Sequence, residues 1–376
     1  MKRFLQTLFS GFDGILLGAM VSLSVFGLAT MYSLSETNAL FNRQLWWLLA
    51  SIIVFLLAII PNYRFLKMGN IIFYSYIGIL LLLGLVLVFG EDTLGARQRF
   101  DLGVLYFQVS DPAKIILIAL LAKYFAKRHE LIGDFKHIIV SGIYTSLMFI
   151  LIFMQPDFGT AIIIFLIWLG MVLVAGIKLR HIITVFSVGV LAFMVMWQFI
   201  FYPYQKARIM NFFDPLADVQ NSGYSAYQST VTFGSGQVFG KGVGYGTQSK
   251  LLYLPEYETD FIYAAFAEEW GLIGVVVSFG LFGIIIWRLL YYATIGVSNF
   301  EKLFAVGVVI FLLSHFFLHV GINIGLLPVT GTTVPFLSYG GSHLLTEFLA
   351  VAIVLGMSRR VNNYKNSVKE VFPEAG

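Results

Sequence analysis

The sequence predicts an all-α polytopic membrane protein, with ten transmembrane helices and one large extracytoplasmic loop. Three observations carry that prediction. The 376 residues are 59% hydrophobic and only 12% charged, where an ordinary soluble domain carries about 25% charge. Mean hydropathy is +0.85, more apolar than a single aqueous core can hide. Stretches free of Asp, Glu, Lys and Arg recur at the length needed to cross a bilayer, about 20 residues for about 30 Å of hydrocarbon.

Those stretches place the helices in order. Residues 14–35, 44–63, 68–90, 137–156, 158–177 and 181–205 each form an uninterrupted span. Residues 112–127 form another, with Lys114 and Lys123 near its ends, and 262–289 form the eighth, with Glu268 and Glu269 inside. The long charge-free stretch at 303–346 exceeds one span, and Pro328, Gly331 and Pro335 in its middle divide it into a helix, a loop and the start of a tenth helix. Met1-Lys2-Arg3 precedes the first span as in a secretory signal, but the apolar core begins after Asp13 and is as long as a spanning helix, so it is read as helix one. The spans follow one another too closely for separate domains, so residues 1–376 are read as one integral membrane domain. Within it, 202–259 is a large loop between helices seven and eight, whose aromatic and small polar content favours a packed segment over a linker. With the N-terminus in the cytoplasm, Lys and Arg concentrate in the inside segments, and an even number of spans returns the C-terminus to the same side.

Composition also excludes several function classes. Cysteine is absent, which removes disulfides, thiolate metal sites and thiol nucleophiles. The formal charge of +4 is spread over short loops without a basic block, so nucleic acid is not expected as a partner.

Ionisable groups inside spans cost several kcal/mol unless paired or facing a polar cavity, which makes the few retained here candidates for function. Asp111 and Lys114 are three apart at the start of the fourth helix and share one face; a structural ion pair and a cavity-lining pair are both open readings. Asp157, in Gln155-Pro156-Asp157, is placed to cap the sixth helix. Glu268 and Glu269 are adjacent, about 100° apart on a helix, so at least one must bond a neighbouring helix. His343 and Glu347 are four apart and should pair, as structural polar groups. His315 and His319 have the same spacing, but a carboxylate or Cys ligand is not near them in sequence. The sharpest feature is Leu254-Pro255-Glu256-Tyr257-Glu258-Thr259-Asp260, where the large loop returns to the membrane. Asp260 there is either a helix cap or a general base at the water–lipid boundary.

The motifs together resemble the SEDS family of bacterial cell-wall polymerases, the family of RodA and FtsW, over nearly the whole chain. The resemblance is carried by Gly95-Ala96-Arg97 with Asp101-Leu102-Gly103, the Asp111-to-Lys114 helix start, Gln155-Pro156-Asp157 and Arg208. It continues through Gly234-Ser235-Gly236 with Gly240-Lys241-Gly242, Leu254-Pro255-Glu256 with Thr259-Asp260-Phe261, Ala267-Glu268-Glu269, and Ser338-Tyr339-Gly340-Gly341-Ser342. Gly246-Thr247-Gln248-Ser249 looks like the RodA branch, which serves elongation and cell shape, more than the division branch. Asp111 stands where the family usually has Glu, Gln98-Arg99 where many members read Arg-Trp, and His319 where many read Asn.

The resemblance implies a peptidoglycan glycosyltransferase that polymerises lipid II at the outer face of the bacterial cytoplasmic membrane, beside a class B penicillin-binding transpeptidase and among membrane lipids. It carries the family's essential aspartate onto Asp260. Substrate contacts are then expected from Lys114, Asp111, Arg97, Asp157, Arg208, Lys241, Gln248, Glu256, Thr259, Ser338 and Tyr339. Charge growing on the departing pyrophosphate calls for cations, with Lys114, Arg208, Lys241 and Arg97 the side-chain candidates. A divalent cation, Mg or Mn, would do similar work; no organic cofactor is implied. A groove lined by residues 338–342 and the eighth helix could admit the isoprenoid tails. The rival classes are a flippase for the lipid-linked precursor or a proton-coupled transporter, and a non-catalytic scaffold.

Overall fold

A computed structural model describes residues 12–34, 39–93, 96–101, 106–128, 134–214 and 223–371. In chain order the elements are α1 (Gly14–Leu34), α2 (Ala39–Ala58), α3 (Arg64–Lys67), α4 (Ile71–Phe89), β1 (Glu91–Thr93), β2 (Ala96–Asp101), β3 (Tyr106–Gln108), α5 (Ser110–Ala126), α6 (Phe135–Met154) and α7 (Phe158–Ala175). They continue with α8 (Leu179–Phe199), α9 (Pro203–Phe213), α10 (Tyr224–Ser235), α11 (Thr247–Lys250), α12 (Ile262–Ile295), α13 (Asn299–Asn323) and α14 (Gly341–Val371). Among the described residues, nine helices are long and apolar enough to cross a membrane. In the position of the expected fourth span, α5 has 17 residues and is buried along nearly its whole length. The chain is an integral membrane protein.

The core is built around α13, which packs against α5, α7, α12 and α14, while α14 lies along α2 and α12 lies along α1. Their facing side chains, among them Phe304, Phe311, Phe348, Leu117 and Ile164, are almost fully buried. The opposite faces of the outer helices carry exposed Leu, Ile, Val and Phe, as they must where lipid replaces water. By contrast α8 is almost wholly exposed.

Four features depart from the sequence reading. The second span runs from Ala39 to Ala58 rather than 44–63: Arg43 does not end the helix, and the chain turns ahead of Pro61. Between α4 and α5 the chain forms a three-stranded antiparallel sheet in the order β1-β2-β3, with Arg99 opposite both Glu91 and Gln108. Among its described residues the 202–259 loop holds three helices, α9, α10 and α11.

The eighth span is not one helix, because α12 breaks at Gly271, whose φ of 64° and ψ of −168° are open only to glycine. Tyr263 Oη and Ser278 Oγ hydrogen-bond at 2.7 Å although fifteen residues apart, a separation a straight helix would stretch to about 22 Å. The arms 262–270 and 272–295 therefore fold toward each other. Backbone groups freed by the break are taken up by the turn after α10. Lys241 and Gly242 N–H donate to the Glu268 and Glu269 carbonyls, at 2.9 and 3.0 Å. Leu272 and Ile273 N–H donate to Gln237 and Val238 O, at 2.9 and 3.2 Å. Broken helix is tolerated in a membrane protein only where such partners exist.

Candidate active site

One end of the bundle gathers the N-termini of α5, α7, α12 and α14, the C-terminus of α13, and the 324–340 loop that joins α13 to α14. Asp260 stands there two residues ahead of α12, next to its N-cap Phe261, half-buried. Asn323, itself fully buried, holds this turn: its Nδ2 donates to Asp260 O at 3.1 Å and its Oδ1 accepts from Ala264 N at 2.9 Å. The Asp260 carboxylate faces Gly331, where a Cβ would lie 3.6 Å from Oδ2. Gly331 is exposed, so the carboxylate borders an open edge rather than a sealed core.

The loop segment that follows Gly331 is gripped from below. His319 Nδ1 donates to Thr332 O at 2.7 Å and His315 Nδ1 to Thr333 O at 3.2 Å. These carbonyls fix the tautomers, since each ring nitrogen facing a carbonyl must carry a proton. Lys114 Nζ then donates to His315 Nε2 at 3.3 Å and to Asp111 Oδ1 at 3.0 Å. His343 Nδ1 approaches the same Asp111 oxygen at 3.2 Å, while His343 Nε2 makes ion-pair contact with Glu347 Oε1 at 2.8 Å, off the ideal hydrogen-bond angle. The expected pairs Asp111–Lys114 and His343–Glu347 thus belong to one buried network.

At the start of α7, Asp157 Oδ1 caps the helix by accepting from Thr160 N at 3.0 Å, and Oδ2 accepts from Gln108 Nε2 at 3.2 Å. Burial raises the Asp157 pKa, partly offset by the Thr160 hydrogen bonds. Glu256 has a φ of 47°, and its carboxylate accepts from Thr259 Oγ1 at 3.0 Å. Next to it, half-buried Glu258 has its pKa raised by burial and then by the Glu256 charge.

The other expected contact residues lie around this end of the bundle and in the large loop. Lys241 Nζ is 2.6 Å from Glu268 Oε1, and Glu268 also accepts from Gln248 N, Ser249 N and Ser249 Oγ at 2.7–3.0 Å. Gln248 Oε1 accepts from Gln228 at 2.5 Å. Glu269 bonds Ser33 of α1 at 2.5 Å and Gly244 N at 2.7 Å, so the two glutamates point to different partners. Ser338 is buried and accepts from Val334 N at 2.9 Å, and Tyr339 N donates to Glu258 O at 3.3 Å. The 338–342 turn is thereby packed on the Glu258–Thr259 backbone and on Gln44 of α2, with Tyr339, Gly340 and Gly341 partly exposed. Arg208 is exposed on α9, over the ring of Tyr204. Arg97 lies in β2, and its side chain falls outside the described residues. Among the described residues no three His, Asp or Glu converge as a metal cage.

Sequence reasoning missed Asn323, Gly331 and the carbonyls of Thr332 and Thr333. The available signal for Asn323 was a lone amide side chain in the charge-free stretch 303–346; the backbone groups left none.

The geometry can be set beside known proteins. The model of the FtsW/RodA/SpoVE family, described as cell cycle protein, matches residues 6–363. The chain belongs to this family. It is 38% identical over 281 residues to a probable peptidoglycan glycosyltransferase FtsW of Thiomicrospira cyclica, covering 73% of this chain and 71% of that one. It is 36% identical over 285 residues to the peptidoglycan glycosyltransferase MrdB of Escherichia coli, 76% of each chain. Among solved structures, a chain from a peptidoglycan synthase complex, studied for its coordination of polymerization and crosslinking, superposes with a TM-score of 0.81 at 28% identity over 93% of this chain and 98% of that one. The rod shape determining protein RodA of Thermus thermophilus superposes with a TM-score of 0.69 at 27% identity, over 93% and 97%.

Proposed function

We propose that this chain polymerises lipid II into glycan strands at the outer face of the bacterial cytoplasmic membrane, with Asp260 as general base. Family membership carries the coarser statement that it is a peptidoglycan glycosyltransferase of the FtsW/MrdB/RodA type. The observation that carries the finer one is the Asp260 carboxylate at an open edge, against exposed Gly331.

In the reaction an acceptor sugar hydroxyl attacks the donor's anomeric carbon, a new C–O bond forms, and the bond to the isoprenoid pyrophosphate breaks. The hydroxyl proton passes to Asp260, a role commonly worth about 10² to 10⁴ in rate. One displacement inverts the anomeric centre, as a β-linked glycan requires, and no second carboxylate nucleophile is needed. Asn323 holds the backbone of the base and Gly331 leaves room beside its oxygen. Lys114 is 1% exposed and already bonded to Asp111 and His315, so its charge acts on the site through the loop rather than by direct contact. The exposed Arg208 is a cation that can meet pyrophosphate.

Orientation is read from charge. At the end opposite Asp260 lie Arg64, Lys67, Lys123, Lys127, Lys136, Lys178, Arg180, Arg288 and Lys302, all near helix ends. A basic end of this kind faces the cytoplasm, which supports a reading with both termini on that side and Asp260 outside. A class B penicillin-binding transpeptidase is the proposed partner, and elongation rather than division the proposed role. Purified protein in detergent, given lipid II, should make glycan strands; a carrier, which needs two sides of a membrane, would make none.

A further inference from the structure

The buried network beneath Asp260 starts and ends on the same loop. Phe336 is 1% exposed, yet its φ is 64°, a strained backbone for a bulky side chain. Its N–H donates to Glu347 Oε2 at 2.9 Å. From Glu347 the chain of contacts runs through His343, Asp111, Lys114 and His315, as described above, and closes on Thr333 O, three residues before Phe336. His319 adds a second hold on Thr332 O. Residues from α5, α13 and α14 therefore meet in one clamp around 332–336, and Gly331, the wall of the Asp260 site, is the next residue.

Two alternatives account for less. A structural ion pair would need only Asp111 and Lys114, and burying further charged and imidazole groups beside it costs free energy without adding stability. A metal site is not supported, since both nitrogens of His315 and of His343 already face other groups. A strained residue at a site persists only when its surroundings over-determine it, and Glu347 supplies that constraint.

We propose that Glu347, His343 and His315 are positioning residues that lock the Gly331–Phe336 loop in the place that sets the geometry of Asp260. They touch neither substrate nor reacting atoms; the proposal rests on the lipid II reading above. A displacement of about 1 Å at a reacting group can cost about 10² in rate, so losing one link should lower kcat by about 10- to 100-fold with KM nearly unchanged.

The test uses the full-length protein, purified in detergent. Because the chain has no cysteine, Thr332→Cys introduces a lone thiol at a position that is 4% exposed. Its labelling rate with a small maleimide reports loop position without any reference to activity. In that background Glu347→Ala should label several-fold faster, and in the native background it should polymerise lipid II with reduced kcat. Glu347→Gln, which can still accept from Phe336 N, should recover part of both. His343→Asn keeps the reading available if Glu347→Ala does not fold. Unchanged labelling or unchanged kcat in a folded Glu347 or His343 variant overturns the proposal, as does a loss confined to KM. If the parent protein makes no glycan while Glu347→Ala still speeds labelling, the loop clamp stands and the lipid II reading fails.

Discussion

Replacing Gly271 by Ala tests the broken helix that follows Asp260. A Cβ at this position would lie 2.2 Å from Gly240 N and 2.6 Å from Val238 O, both backbone atoms that cannot swing aside. The backbone conformation itself costs a non-glycine residue about 1–3 kcal/mol. Relief by separating the turn from the break would strain the four inter-segment hydrogen bonds, each worth about 0.5–1.5 kcal/mol. The variant should therefore lose about 3–9 kcal/mol in all. The matched control is Gly280→Ala on the same helix, where nothing lies within 4 Å of the added Cβ and alanine is the better helix former by about 1 kcal/mol. Thermal denaturation in detergent should show a large fall in midpoint for Gly271→Ala and none for Gly280→Ala. Polymerisation should fall with the first and persist with the second, because the arm 262–270 follows directly from Asp260. If both variants melt and work alike, α12 is a continuous helix and the account of how Asp260 is placed is wrong.

Three further outcomes are expected. Lys241→Met should destabilise by about 1.5–3 kcal/mol, since it removes a charged partner from fully buried Glu268 while the Gln248 and Ser249 donors remain; a double-mutant cycle with Glu268→Gln should give non-additive losses. Asp157→Ala should cost about 1 kcal/mol from the lost α7 cap, read as a lower melting midpoint, and an unchanged midpoint would mean the cap carries no stability. Glu258 has its pKa raised above the ordinary 4.5 in the folded state, so its stabilising protonation is present below pH 4.5 and is lost as pH rises through the folded value. The melting midpoint of wild type should thus fall, relative to Glu258→Gln, on going upward from pH 4.5; parallel curves would count against the burial of this carboxyl.

Much of the bundle was legible because hydrocarbon imposes a length and a composition on each span, and these are written in consecutive residues. Pairings on one helix, Asp111 with Lys114 and His343 with Glu347, were legible from their spacing for the same reason. What joins those pairs was not. The contacts of Lys114 with His315, and of His343 with Asp111, cross 201 and 232 residues of sequence. The break at Gly271 was hidden because an isolated glycine in an apolar helix carries no local mark of positive φ; the deciding partners are the backbone of residues 237–242. The sheet at 91–108 escaped because its strands are three and six residues long, with mixed polarity. The bonds by which Lys241 and Gln248 tie the large loop to Glu268 and Gln228 were hidden as well, because their partners lie 20 to 27 residues away.

The most direct measurement is glycan synthesis from purified lipid II by wild type and Asp260→Asn side by side, with matched melting curves. Asparagine keeps the size of the side chain and cannot take the proton. The account predicts strands from wild type and none from the variant at equal folding. Polymer made by a folded Asp260→Asn protein at the wild-type rate would contradict it.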